Sequence, residues 1–220
     1  MIKIVIIGAG NYAAEVASCF DAIIINHQPI EVKGYIDYEY NIEKYWKKYK
    51  LEKPVLGDID NYQFQEDEYY IIGMFNFEFR KKMINQVKEK GGKFLNLIHP
   101  TAIVERNAIM GTGNIFFPYS FLGANAQIGD FNTINLQSIV SHDCRVGSNN
   151  TVATAVLCGN VHVGDDNLFG IRSTILPGVK VGSRNTIQAG MTVDKDVSDD
   201  SVIFHRFKEK ITVISSDKNL

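Results

Sequence analysis

Residues 122–147 read LGANAQ-IGDFNT-INLQSI-VSHDCR-VG, and each block of six begins with an aliphatic residue. The same spacing starts at Val104, slips by one residue after Cys158, and continues to Val193. A period of six fits neither the roughly 3.6-residue turn of a helix nor the alternation of a flat sheet. It is the repeat of a β-helix, in which three short strands form each coil and the repeated apolar residue fills the interior. The predicted interior positions are Val104, Met110, Phe116, Leu122, Ile128, Ile134, Val140, Val146, Val152, Cys158, Val163, Phe169, Ile175, Val181, Ile187 and Val193.

The composition argues against several classes of function. The 220 residues carry a formal net charge of −2 with the two signs interspersed, which predicts no binding to nucleic acid or to a membrane surface. The apolar start of the chain, residues 2–7, is too short to span a bilayer. The three cysteines lack the spacing of metal ligands, so we expect no metal site and a reduced, cytoplasmic setting.

The N-terminal residues have the pattern of a nucleotide-binding unit. A buried strand over residues 1–7 leads into the turn Gly8-Ala9-Gly10-Asn11-Tyr12-Ala13, and a helix is predicted over residues 14–20. In such a turn the glycines let the backbone approach a pyrophosphate, and the free N–H groups of the helix N-terminus point towards it. We therefore predict that the substrate is bound by Gly8, Gly10, Asn11 and Tyr12.

Three further strands are predicted before the hexad repeat. The second strand, residues 32–36, ends at Asp37, which either meets a ribose or sugar hydroxyl or is a turn residue at the strand end. The third, residues 70–72, is followed by Asn76, a further candidate for substrate binding, and by a helix that carries residues 80–90. The last strand covers residues 94–98.

The alternation of strands and helices predicts a Rossmann-like α/β domain with a short, mostly parallel sheet of about four strands in residues 1–98. That is about half of a dinucleotide fold, which favours one nucleotide over NAD. His99-Pro100 marks the junction, because the proline ends the preceding strand register. Residues 99–220 are predicted to form the second domain, an all-β parallel β-helix.

These motifs together resemble the NeuD/PglD family of sugar acyltransferases. The resemblance is carried by the Gly-x-Gly turn, the junction Asn96-Leu97-Ile98-His99-Pro100, and in the coils by Ser141-His142-Asp143-Cys144, Gly159-Asn160-Val161 and FGIRSTILP at residues 169–177. It implies a left-handed β-helix, a homotrimer with active sites between subunits, and acetyl-CoA as the donor. The branch that it most resembles N-acetylates nucleotide-linked 4-amino-4,6-dideoxy sugars for bacterial surface glycans, and its N-terminal domain holds the nucleotide sugar.

His142 is the candidate general base. Acetyl transfer to an amine requires a proton to leave the attacking nitrogen, and an imidazole with a pKa of about 6.5 suits this role near neutral pH. His142 follows the interior Val140 by two residues, so its side chain is expected to point away from the core. Asp143, where relatives often have glutamate, is placed to bind the second ring nitrogen and set the tautomer. Asn135 matches a family position near the same site.

The resemblance also assigns residues to the coenzyme. Gly159 matches a position where the backbone approaches the thioester and an N–H faces the developing oxyanion. Ile171 and Ala189 match positions that line the pantetheine channel between neighbouring coils. Thr151 stands where relatives carry a second histidine that contacts the coenzyme, and the coil from 147 to 164 is one residue shorter than usual.

Several alternatives stay open at this point. An O-acetyltransferase acting on a sugar hydroxyl, as on sialic acid, would use the same residues, and a non-catalytic nucleotide-sugar-binding protein would show no thioester turnover. An NAD-dependent oxidoreductase is disfavoured by the half-sized α/β sheet. The basic residues His205, Arg206 and Lys208 either contact the phosphates of coenzyme A or form a solvated tail. The identity of the sugar, the nucleotide base and the acyl chain length is not encoded in any motif we recognise.

Overall fold

The computed structural model describes residues 2–25, 30–38, 48–49 and 53–205. Trp46, together with Arg206 and Lys208 of the basic ending, lies outside the described residues. Neither helix in the described part of the chain is long and apolar enough to cross a membrane.

The N-terminal domain is built on a parallel sheet of five strands, not the predicted four. In space their order is β3-β2-β1-β4-β5. The missed strand is β3, which is only three residues long and half-buried. The elements are β1 (Ile2–Ile7), α1 (Asn11–Ile25), β2 (Ile30–Ile36), β3 (Val55–Gly57), β4 (Glu68–Ile72), α2 (Phe77–Glu89) and β5 (Lys93–Phe94).

In the part of the domain that the structure describes, helices α1 and α2 cover opposite faces of this sheet. Ile4 and Ile6 of β1 pack with α1, whereas Val5 and Ile7 pack in the cluster that contains Met83 of α2. Because both faces are buried, residues 4–7 of β1 form a continuous apolar run rather than an alternating one. The carboxyl ends of β1, β2 and β4 therefore meet at one rigid edge, where the turn from β1 into α1 lies.

The predicted last strand, residues 94–98, is divided between the two domains. Its first part belongs to β5 and pairs with β4, whereas β6 (Leu97–Ile98) pairs with β9 (Ile115–Phe116) of the β-helix. Asn96 lies between them, and its Oδ1 accepts a hydrogen bond of 2.8 Å from the backbone N–H of Asn114. The chain thus enters the β-helix before His99-Pro100.

The rest of the described chain is a parallel β-helix, which confirms the predicted fold class. Each coil contributes one strand to each of three parallel sheets, which have seven, six and five strands. The remaining strands are β7 (Ile103–Val104), β8 (Ile109–Met110), β10 (Phe121–Leu122), β11 (Gln127–Ile128), β12 (Thr133–Ile134), β13 (Ile139–Val140), β14 (Arg145–Val146), β15 (Thr151–Val152), β16 (Val156–Leu157), β17 (His162–Val163), β18 (Leu168–Phe169), β19 (Thr174–Ile175), β20 (Lys180–Val181), β21 (Thr186–Ile187), β22 (Thr192–Val193) and β23 (Val202–Ile203).

The slip in the hexad repeat lies earlier than predicted. Val152 is followed in the interior by Leu157, which is fully buried and pairs with Val140 on one side and Ile175 on the other. The prediction that Cys158 is an interior residue is therefore wrong, and its side chain is only partly buried. The residue is missing from the corner between β15 and β16, which is closed by a turn of only three residues.

We name the corners of the β-helix by one residue each. The Asn135 corner comprises residues 117–120, 135–138, 153–155, 170–173 and 188–191; the His142 corner comprises 123–126, 141–144, 158–161 and 176–179; the Asn150 corner comprises 129–132, 147–150, 164–167 and 182–185. Residues in the left-handed backbone region recur at these corners, often Asn or Asp, which tolerate it. The non-glycine ones are Tyr119, Asn125, Phe131, Gln137, Asp143, Asn149, Thr154, Asn160, Asp166, Arg172 and Arg184.

A ladder of asparagines runs along the Asn150 corner and extends into the coils before and after it. Each side-chain oxygen accepts the backbone N–H of the next member one coil later, at 2.7–2.9 Å. These bonds satisfy backbone groups that the turn would otherwise leave unpaired in the interior. The members are Asn96, Asn114, Asn132, Asn150, Asn167, Asn185 and, as the last donor, Ser201.

The N-terminal domain packs on the seven-stranded sheet of the β-helix. Phe117 is buried against Tyr12 of α1, with ring centroids 5.8 Å apart. The Tyr12 hydroxyl lies 3.0 Å from Oγ1 of Thr133, and burial raises the pKa of Tyr12 to about 12. Apolar and polar contacts thus join α1 directly to the coils.

Candidate functional site

A cavity of about 400 Å³ opens at the carboxyl edge of the N-terminal sheet. All six residues predicted to bind the substrate line it, together with Tyr38, Gly73, Met74, Phe75 and Phe79: they are Gly8, Gly10, Asn11, Tyr12, Asp37 and Asn76. Strand ends and helix N-termini converge here, which is the arrangement that binds nucleotide phosphates in α/β sheets.

Asp37 organises the glycine-rich turn. One of its carboxylate oxygens accepts the backbone N–H of Ala9 at 2.8 Å, and the other accepts the N–H of Tyr38 at 2.7 Å. The residue is buried, with 3% of its surface exposed. Asp37 therefore holds the turn in place through these two hydrogen bonds. Asn76 instead caps α2, because its side-chain oxygen accepts the N–H of Phe79 at 3.1 Å.

Two aromatic rings at the mouth of this cavity were missed by sequence reasoning. Phe75 and Phe79 are 45% and 48% exposed, which is unusual for phenylalanine, and both line the cavity. Exposed rings beside a phosphate-type turn are suited to stacking on a nucleotide base or packing on a sugar. The signal in the sequence was the run Met74-Phe75-Asn76-Phe77. The apolar face of the helix that follows does not by itself account for the aromatic residues of this run.

The His142 corner holds the predicted acid–base pair. Nδ1 of His142 lies 2.8 Å from a carboxylate oxygen of Asp143, and the two side chains are 67% and 48% exposed. Asp143 has a left-handed backbone with φ of 60°, which turns its carboxylate back towards the imidazole. The hydrogen bond from His142 holds the pKa of the Asp143 carboxyl below its ordinary value, with a second contribution from Asn125. The carboxylate is thus ionised and placed to keep the proton on Nδ1.

Gly159 lies one coil beyond His142, directly beneath the imidazole. Its carbonyl accepts the N–H of Gly178 at 3.1 Å. Its own N–H donates no hydrogen bond to any described residue. Gly159 therefore lies next to the candidate base, with a backbone N–H that is not used within the described coils.

The remaining predicted residues lie on a different corner. Asn135, Ile171 and Ala189 all follow strands of the seven-stranded sheet, in the Asn135 corner. The side-chain oxygen of Asn135 accepts the N–H of Leu136 at 2.7 Å, and no hydrogen bond joins Asn135 to His142 in the described coils. Within one chain, the predicted coenzyme channel and the predicted base therefore do not come together.

A second cavity, of about 460 Å³, borders the Asn135 corner. It lies between α1 and the coils, beside the shortened corner at Thr154. Its lining residues are Glu15, Ser18, Cys19, His99, Phe117, Pro118, Asn135, Leu136 and Thr154.

Thr151, the remaining residue predicted to contact the coenzyme, begins strand β15. Its side chain is fully buried under the N-terminal domain and not at the channel positions. Its hydroxyl accepts a hydrogen bond of 3.3 Å from Arg80, whose guanidinium also donates to the carbonyl of Phe131. Burial lowers the pKa of Arg80, and its Nε has no partner among the described residues. Thr151 therefore joins the domains, and its contact with the coenzyme stays a prediction.

Comparison with known proteins bears on both domains. Residues 3–87 match the PglD N-terminal domain family. Over 91 residues the chain is 28% identical to a GDP-perosamine N-acetyltransferase of Escherichia coli, a match that spans 41% of each protein.

Two solved structures share the fold over nearly the whole chain. The acetyltransferase domain of PglB from Neisseria gonorrhoeae matches with a TM-score of 0.78 and 24% identity, over 92% of this chain and 96% of that one. PerB from Caulobacter crescentus, solved with CoA and GDP-perosamine, matches with a TM-score of 0.76 and 25% identity, over 91% and 92% of the two chains. The fold and site thus define a β-helix protein with an N-terminal α/β domain that carries a cavity at the edge of its sheet. Within that class, the N-terminal domain matches the PglD N-terminal domain family, and the whole chain is similar in fold to the PglB acetyltransferase domain and to PerB.

Proposed function

We propose that this protein is an acetyl-CoA-dependent N-acetyltransferase that acts on a nucleotide-linked amino sugar. The observation that carries the proposal is the His142–Asp143 pair at 2.8 Å on an exposed corner of the β-helix. The nucleotide part of the acceptor is assigned to the cavity beside Gly8 and Gly10. Relatives named for GDP-perosamine support a 4-amino-4,6-dideoxy sugar as the acceptor and acetyl-CoA as the donor.

The proposed reaction uses His142 as the general base. The amine of the sugar attacks the thioester carbonyl, so that the N–C bond forms and the carbonyl oxygen becomes an oxyanion. Nε2 of His142 takes the proton from the attacking nitrogen while Asp143 stabilises the imidazolium through Nδ1. Collapse of the intermediate breaks the C–S bond, and the proton passes from His142 to the leaving thiolate of CoA. The Gly159 N–H is a candidate donor to the oxyanion.

We further propose that the active enzyme is a homotrimer. The base lies on the His142 corner and the predicted channel on the Asn135 corner, so the two meet only if corners of neighbouring copies face each other. The Asn135 corner exposes large apolar side chains: Tyr119, Leu136 and Ile171 are 65%, 44% and 58% exposed. Cyclic association would bury them without leaving an open edge. A reaction that consumes acetyl-CoA places the enzyme in the cytoplasm.

A thiol-release assay with acetyl-CoA tests the proposal. The acceptors are 4-amino-4,6-dideoxy sugars linked to GDP, UDP and dTDP, each paired with the matched 4-hydroxy sugar. We expect thiol release with at least one amino sugar and none with its hydroxy partner. Turnover only with the hydroxy sugars would make the enzyme an O-acetyltransferase, and no turnover with any acceptor would favour a binding protein. Light scattering that gives one chain mass at micromolar concentration would contradict the trimer.

A further inference from the structure

Asn125, one coil before Asp143, extends the acid–base pair into a three-residue chain. Its Nδ2 donates a hydrogen bond of 2.6 Å to Oδ1 of Asp143, and Oδ2 of the same carboxylate faces Nδ1 of His142 at 2.8 Å. Each carboxylate oxygen of Asp143 thus has its own partner, Asn125 for Oδ1 and His142 for Oδ2. The three side chains stack along the outside of the His142 corner, and no motif in the sequence singles out Asn125.

Asn125 is itself held in place from two sides. Its backbone N–H donates to the side-chain oxygen of Asn107 at 3.0 Å, and its carbonyl accepts a hydrogen bond of 2.7 Å from the guanidinium of Arg145. Its backbone is left-handed with φ of 58°, a conformation that asparagine tolerates. The backbone that carries the Asn125 amide is therefore held on both sides without any bound substrate.

The hydrogen bond from Asn125 matters because the His142 and Asp143 side chains are exposed to solvent. With 48% of its side chain in solvent, a free Asp143 carboxylate would rotate to hydrate both oxygens. His142 would then lose its partner for part of the time, and the ring would populate the tautomer with the proton on Nε2. That tautomer is unable to accept a proton at the position facing the acceptor.

We propose that Asn125 is a positioning residue that fixes the Asp143 carboxylate, and through it the tautomer of His142. The catalytic consequence rests on the proposed function, whereas the effect on the tautomer does not. The amide acts on His142 only through Asp143, so it touches neither substrate nor coenzyme in this scheme.

The test compares two glycine variants that preserve a left-handed corner. Asn125→Gly removes the amide from Asp143. Asn149→Gly is the matched control, because Asn149 has φ of 58° and donates at 2.7 Å to Asp166 one coil later, on the Asn150 corner. Asn125→Asp is a second variant of nearly unchanged size, which sets a carboxylate against Asp143.

The readouts are kcat, KM for both substrates, and the tautomer of His142 in the ligand-free protein by nitrogen NMR. We expect Asn125→Gly to lower kcat by about tenfold with KM unchanged and to raise the share of the Nε2–H tautomer. Asn125→Asp should lower kcat at least as much, and Asn149→Gly should change neither readout.

Three outcomes separate the possibilities. Unchanged kcat and tautomer in both Asn125 variants would overturn the proposal. Equal losses in Asn125→Gly and Asn149→Gly would also overturn it, because they would show that both asparagines are only structural. A tautomer shift in Asn125→Gly, in a protein that turns over no acceptor, would support the positioning role and reject the proposed function instead.

Discussion

The imidazole of His142 packs against Gly159, which lies one coil further along the same corner of the β-helix. A Cβ at residue 159 would come within 2.6 Å of both Cε1 and Nε2 of the ring, closer than real Cβ contacts allow. The ring therefore keeps its position because Gly159 has no side chain. The family resemblance assigned Gly159 to the thioester, and the structure adds a steric role towards His142.

Gly159→Ala should displace the imidazole and lower kcat by tenfold or more, because the added methyl occupies the place of the ring. A double-mutant cycle with His142→Ala measures whether the effect passes through the base. Gly178→Asn on the same corner is the control, since its backbone is left-handed and the space around it is open. If Gly159→Ala costs as much in the His142→Ala background as alone, the steric role is wrong and a direct role at the thioester is favoured.

His142→Ala should lower kcat by roughly 100- to 10,000-fold, the usual effect of removing a positioned general base. Binding of acetyl-CoA should change little, because the lost interaction matters once the nitrogen attacks. Asp143→Asn should cost less, since the imidazole remains. Calorimetry with acetyl-CoA and steady-state kinetics check these expectations. Near-normal turnover in a correctly folded His142→Ala variant would remove His142 as the base.

Thr151→Val should lower the free energy of unfolding by about 1–3 kcal/mol, because it removes a buried acceptor from the guanidinium of Arg80. KM for acetyl-CoA should stay unchanged, since the Thr151 side chain has no exposed surface. Thr133→Val is the matched control: it removes the neutral partner of Tyr12 in the neighbouring coil and should cost less. Urea unfolding and initial-rate kinetics measure both quantities. A raised KM with unchanged stability would restore Thr151 to the coenzyme site.

His99 should make the fold sensitive to mild acid. Burial lowers the pKa of His99 below its ordinary 6.5, and Nδ1 accepts the N–H of Thr101 at 3.2 Å, which only the neutral ring can do. The unfolded state therefore binds the proton more tightly, and the stability that the neutral ring contributes is lost as the pH falls from about 6.5 through the folded-state pKa. His99→Asn keeps an acceptor and does not titrate. Urea unfolding at about pH 7.5 and 5.5 should show a larger loss for the parent protein than for this variant, and equal losses would contradict the prediction.

Much of the lining of the cavity at the edge of the N-terminal sheet could be predicted from the sequence, because its signals are local. The turn from Gly8 to Ala13 joins one strand directly to one helix, and Asp37 ends the neighbouring strand. Parallel strands bring such ends to the same edge, so their meeting followed from order alone. The aromatic pair Phe75 and Phe79 escaped notice because exposure is a property of the folded surface.

The hexad repeat determined the β-helix by itself, because each coil buries its own apolar residues on those of its neighbours. It also placed His142 outside the core. Which residues stack across coils depends on the length of every intervening corner, and the short corner at Thr154 shifts that register. For this reason Leu157 replaces Cys158 in the interior, and only the tertiary structure brings Asn125 and Gly159 to the His142–Asp143 pair. The separation of Asn135 from His142 has the same origin, because the seven residues between them carry the chain from one corner of the β-helix to the next.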